Sequence, residues 1–179
     1  VLMVSERGMF LGTRPDSAFA QSPSDFRGGQ VSGDDRLLDG LVEVAIAATL
    51  FPRQRGLDDD VLEARRPVSV QDVHGTLAEL VDALKQELPD EPEDEADRIE
   101  QGLWEAWQVF ESRPSYRETS TGRLASNCIF RIIEQHLERL CELGCFRTDT
   151  QRDTVRYRPT LRYQVLVQEL AATRLYERI

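Results

Sequence analysis

Two histidines, three cysteines and a set of arginines between residues 123 and 158 are the side chains whose types and spacing could do chemistry. Cys128, His136, Cys141 and Cys145 fall close together and invite a zinc reading. Zinc knuckles are built on Cys-x-x-Cys pairs, and that spacing is missing here. Cys141 and Cys145 lie one helical turn apart near a helix end, and cysteine packs well there as a small apolar residue. His74 has no evident acid–base partner and reads as an ordinary surface or edge histidine. The acidic runs Asp58-Asp59-Asp60 and Glu91–Asp97 could attract a cation, but charge runs of this kind are usually solvated. No Gly-x-Ser-x-Gly, phosphate-cradling glycine loop or paired-carboxylate arrangement stands out. The expectation is a non-enzyme with no catalytic residue, no cofactor and no metal. The arginines suit a different task, since Arg pairs bidentately with guanine, and Asn or Gln with adenine.

The elements that must position these residues are mostly helical. A first helix is predicted from Asp34 or Asp35 to Phe51, after a Ser32-Gly33 start signal, with Leu37, Leu38, Leu41, Val42, Ala45 and Ala48 at helical spacing and Pro52 as its stop. A second follows Pro67, with Ser69 as N-cap and Asp72 completing a capping box. Its Val70, Val73, Leu77, Leu80 and Leu84 step by three and four, as do Ala96, Ile99, Leu103, Ala106 and Phe110 of a third helix. Two narrow seams joined by a short acidic segment predict a helix hairpin within the chain. Trp104 and Trp107 lie on nearby faces of the third helix and read as core. A linker over 112–123 leads to a fourth helix, with Asn127 or Ser126 as N-cap and Ile129, Ile132, Ile133, His136, Leu137 and Leu140 on one face. Leu143-Gly144 ends it. Strands over 145–147 and 154–158 then flank a tip at Asp149–Asp153. A last helix opens after Pro159-Thr160, with Val165, Leu166, Leu170 and Ala171 inward. Near the start, the runs at 2–4 and 9–11 around Ser5-Glu6-Arg7-Gly8 predict a small hairpin.

Composition bounds the function. The 179 residues carry 32 acidic and 22 basic side chains, a net charge of −10, and only Lys85 is a lysine. Scarce lysine, abundant arginine and an acid excess resemble the proteins of salt-loving archaea; the codon bias of a high-GC bacterium is the alternative source. At about 1 M salt the Debye length is only about 3 Å, so an acidic chain is not repelled from DNA at long range. The charge is split: residues 1–112 hold 10 basic and 24 acidic side chains, and residues 113–179 hold 12 basic and 8 acidic ones. A basic C-terminal part is the footprint expected of a nucleic-acid module. No apolar run approaches a membrane span, and an odd number of cysteines points to reduced thiols in a cytoplasm.

The stretch HLERLCELGCFRTDTQRDTVRYRPT resembles the end of winged helix-turn-helix proteins through Leu137, Leu140, Leu143, Gly144, Tyr157 and Thr160. With the helices read above, it gives a mainly α protein, divided into a flexible N-terminal arm (1–31), a helical region with a helix hairpin (32–112) and, as the resemblance implies, a winged-helix domain (113–179) with a two- or three-stranded β wing. It also implies a major-groove helix presenting Asn127, Arg131 and Gln135, with Arg123 just upstream, and a wing presenting Arg152, Arg156 and Arg158. The expected function is binding of double-stranded DNA, as a transcriptional regulator or an accessory factor in DNA processing. Glu134, Glu138 and Glu142 on the same helix oppose phosphate contact. They keep a second function open: a non-catalytic winged-helix subunit docking on a larger chromosome-organising or defence ATPase complex. A homodimer or other protein complex is expected in either case.

Overall fold

The computed structural model describes residues 2–5, 8–11, 31–52, 66–88, 98–151 and 154–176. The chain is mainly helical, with two small antiparallel hairpins. Strands β1 (Leu2–Ser5) and β2 (Gly8–Leu11) pair with Ser5 opposite Gly8, so the N-terminal hairpin forms where the sequence places it. The rest of the expected arm and the acidic runs at 58–60 and 91–97 lie outside the described residues.

Helix α1 (Gly33–Leu50) starts at Ser32, whose hydroxyl accepts from the Asp35 amide while the Asp35 carboxylate accepts from the Ser32 backbone. Helix α2 (Val70–Glu87) repeats this device with Ser69 and Asp72. Each box satisfies amides that a helix start would otherwise leave free. Helix α1 buries Leu38, Leu41, Val42, Ala45, Ile46 and Leu50, and α2 buries Val73, Leu77 and Val81. Helix α3 (Arg98–Ser112) adds Ala106, with Trp107 and Phe110 packed at the margin of the same core. Helices α2 and α3 pack together, as their matched seams predict, and α1 lies against both. Trp104 and Trp107 meet edge to face at 6.1 Å.

Helix α4 (Ile129–Glu142) is the most sharply two-sided element. Ile129, Ile132, Ile133, His136, Leu137 and Leu140 are all buried, the same stripe its spacing predicts, and they pack on α1 and α2. Its start is not the expected one. Cys128, not Ser126 or Asn127, occupies the N-cap, and no side chain caps it. Its end matches the sequence. Gly144 has φ +70°, the Gly144 amide bonds the Cys141 carbonyl, and the Cys145 amide bonds that of Leu140, the two bonds of a Schellman turn. Nothing lies within 4 Å of where a Gly144 β-carbon would stand, so Gly144→Ala costs backbone strain alone. The expected loss is about 1–2 kcal/mol in a urea unfolding curve.

Strands β3 (Phe146–Gln151) and β4 (Thr154–Pro159) are longer than expected, pairing Phe146 with Pro159 through to Gln151 with Thr154. Asp149 and Thr150 therefore sit in the ladder, not at the tip, because Thr148 and Thr150 are β-branched and suit a pleated strand. Only 152 and 153 join the two strands. A third short element completes this sheet: Val68 bridges Tyr157 through reciprocal backbone bonds of 2.9 and 2.8 Å. Helix α5 (Leu161–Tyr176) buries Tyr163, Gln164 and Val165. Leu166, expected inward, is 39% exposed, because Tyr163 takes the inward place by packing on Phe146 and Phe51. The side chains of Leu170 and Ala171 lie outside the described residues.

Candidate interaction face on the fourth helix and hairpin

Helix α4 must offer an open N-terminal half if it is to enter a DNA groove, and the chain folds back over the first turn of that half. The segment 113–128, most of which falls in the 112–123 stretch read from sequence as a linker, folds back over the start of the helix. The amides of Ile129 and Phe130 bond the carbonyls of Pro114 and Ser115 at 3.0 and 3.1 Å. This is how the helix start is satisfied without a capping side chain. Tyr116 meets the Phe130 ring edge on at 5.8 Å, and Glu118 bridges Leu124 to tie the segment into a small loop. Gly122 turns that loop with φ +75°. Within 129–137 the outward side chains of Arg131 and Glu134 are 31% and 33% exposed, and the most exposed residues of α4 are Glu138 and Glu142.

The seven residues expected to meet DNA have distinct fates. The Arg123 side chain is exposed at the loop turn. The Asn127 side-chain oxygen accepts from Arg117 at 2.6 Å. Arg131 pairs with Glu134 at 2.5 Å and with Glu138 at 3.4 Å. Burial disfavours its charge, but the two glutamates outweigh that and hold the guanidinium above its ordinary pKa. Gln135 is half-buried. Arg156 donates to the Pro67 carbonyl at 3.4 Å and adds to the field on Asp72. Burial raises the Asp72 pKa, while bonds from Ser69 and the charges of Arg156 and Arg66 bring it below the usual value. Arg158 pairs with Asp149 across the hairpin at 3.0 Å. Arg152 lies outside the described residues. Of the six described, Arg123 and Gln135 make no such contact, Arg131 and Arg158 are held by carboxylates, and Arg156 reaches only a backbone carbonyl. Arg139, further along α4, is likewise held by Glu142 at 2.6 Å.

What the sequence missed lies beneath this face. His136 is 1% exposed, with Nδ1 2.7 Å from Glu43 Oε1 and Nε2 3.1 Å from Asp39 Oδ1. Asp39 and Glu43 are one turn apart on α1, so the imidazole is wedged between two carboxylates and ties α4 to α1. Burial lowers the His136 pKa, but the two carboxylates more than reverse that and raise it above 6.5. A signal existed: Asp39 stands inside the apolar run Leu37 to Val42, and His136 inside the isoleucine and leucine stripe of α4. A buried carboxylate demands a partner, and His136 was the candidate.

The cysteines do not form a cluster with His136. Cys128 and Cys145 are buried and Cys141 is half-buried, and burial comes first among the causes that raise the thiol pKa of Cys141 and Cys145. Among the described residues no group of three or more His, Cys, Asp or Glu side chains could hold a metal ion, and no helix is long and apolar enough to cross a membrane. Protein-family models, curated proteins and solved structures offer no match to this chain.

Proposed function

We propose that this protein is a non-catalytic winged-helix subunit that docks on a protein partner within a larger assembly. The winged-helix reading is supported by element order. Helix α1, a one-residue strand at Val68, helix α2, helix α4 and the β3–β4 hairpin follow one another, and Val68 pairs with the second hairpin strand. Helix α3 and the loop after it then form an insertion between the two helices that usually adjoin. The docking reading rests above all on the closed start of α4, where segment 113–128 occupies the first amides that the helix would present to a phosphate. The charge of the remaining surface agrees. Glu138 and Glu142 are the exposed residues of α4, and with Glu134 they outnumber the Arg131 and Arg139 to which they are paired, so the face is net acidic and its partner is expected to bring a basic strip.

Purification of the untagged protein from its native source, followed by light scattering, tests this. The expected result is a stoichiometric complex well above the 20.4 kDa of one chain, which the double substitution Glu138→Arg, Glu142→Arg disrupts without loss of helical content. A protein that stays monomeric, or a complex indifferent to both reversals, contradicts the reading. DNA binding through the hairpin is the second reading, favoured by the exposed Arg147 on β3 and by Arg123. Contacts of that kind fall on phosphates, so binding would be indifferent to sequence and would weaken steeply with salt.

A further inference from the structure

The His136 wedge does more than fill space. Each ring nitrogen faces a carboxylate oxygen at hydrogen-bond distance. A neutral imidazole has a single N–H, so it donates to one carboxylate and turns a lone pair toward the other. Both contacts are favourable only when two protons are held between the ring and its partners. We propose that His136, Asp39 and Glu43 form a proton-held latch between α1 and α4, closed while the ring carries both protons and released by alkaline loss of one.

The surroundings single out this ring as the group that titrates. From α1 the facing groups are Asp39, buried at 2% exposure, and Glu43, whose side chain is 36% exposed. From the start of α5 and the end of α4, Tyr163, Arg162 and the Cys145 thiol are grouped with Glu43. The Tyr163 phenol is pushed well above its ordinary value, by burial first and then by Glu43, and the Cys145 thiol is also raised. Neither gives up its proton ahead of the imidazole. From α2 the group toward α4 is His74, which lies against Phe130 at the helix start, and burial lowers its pKa. The two histidines of the chain therefore titrate on opposite sides of 6.5.

The direction of the effect follows from linkage. A ring whose folded pKa lies above its unfolded value contributes stability that is complete below about 6.5 and is lost as pH rises through the folded value. The loss falls at the middle of α4, which leads directly into β3. Opening therefore loosens α4 and the hairpin from α1 while the packing of α2 on α1 persists. This holds whether the face above meets a protein or DNA.

Imidazole nitrogen and carbon NMR of the intact chain, paired with amide hydrogen exchange, tests the latch. Only two rings contribute, and His74→Gln assigns them. The expected spectrum shows one ring neutral and one carrying both protons near pH 6.5, and Glu43→Gln lowers the second ring's midpoint by about one unit. Glu43 is partly exposed, so that variant is expected to fold. Exchange protection over 132–146, corrected for intrinsic rate, is expected to fall about tenfold from about pH 6 to about pH 9, with little change over 73–84. The fall moves to lower pH in Glu43→Gln. A His136 ring already neutral at pH 6.5, or one that titrates while protection over 132–146 stays flat, overturns the proposal.

Discussion

Replacing His136 by alanine is expected to cost about 3–5 kcal/mol of folding stability near pH 6.5, because it removes the charge that faces a buried carboxylate. Asp39 is only 2% exposed, and the imidazole Nε2 stands 3.1 Å from its oxygen. Taking two charges out of water is costly, and their attraction repays the cost only while both are present. The same reasoning predicts a rescue. The double variant His136→Leu, Asp39→Leu replaces the buried pair with apolar side chains in an apolar setting of Val42, Ile133 and Leu137, and leaves only the partly exposed Glu43. It is expected to recover most of the lost stability and to lose the alkaline decline of the wild type. Urea unfolding of the wild type and both variants near pH 6.5 and pH 9 checks this. Equal loss in the single and double variants would contradict this account of the loss.

Phe146→Ala has the next largest expected effect, about 3–5 kcal/mol. Phe146 is 1% exposed and meets Tyr163 at 4.7 Å between ring centroids, and Tyr163 in turn stacks on Phe51 at 6.4 Å. One aromatic row thus joins the first residue of the hairpin to α5 and to the end of α1. Its truncation leaves a cavity at the root of the hairpin, where Phe146 pairs with Pro159 and the strands are least able to close in. Val155→Ala on β4 is the matched control. Val155 is 48% exposed, so the change is expected within about 0.5 kcal/mol. Thermal unfolding separates the two by a wide margin.

The parts of the fold legible in the sequence are those governed by short-range rules. Ser69 with Asp72 announces a helix start, because a hydroxyl and a carboxylate three residues apart satisfy each other's amides. Gly144 announces a helix end, because a positive φ strains any side chain. The apolar stripe of α4 follows from its period, and all six of its members are buried. What escaped depends on long-range pairing. Asp39 and His136 are 97 residues apart, and nothing local links them. The N-cap of α4 was misplaced because carbonyls at 114 and 115 serve in place of a side chain, a solution that leaves no residue-type signature. Arg131 and Arg158 looked available because their partners, Glu134 and Asp149, were read as a surface charge and a tip residue. Leu166 was placed inward by period alone, whereas the aromatic row gives that place to Tyr163.

The closed start of α4 is the observation on which the docking reading stands, and selection of duplexes from a random-sequence pool tests it most directly. At about 0.15 M salt, specific DNA readers hold their sites at roughly 10⁻⁸–10⁻¹¹ M. The expected result here is no enriched consensus and no saturable binding in that range, with Arg131→Ala indistinguishable from wild type. Residual binding at low salt would be sequence-indifferent and would fall steeply with added salt. An enriched site bound in that range, and lost in Arg131→Ala, would contradict the account.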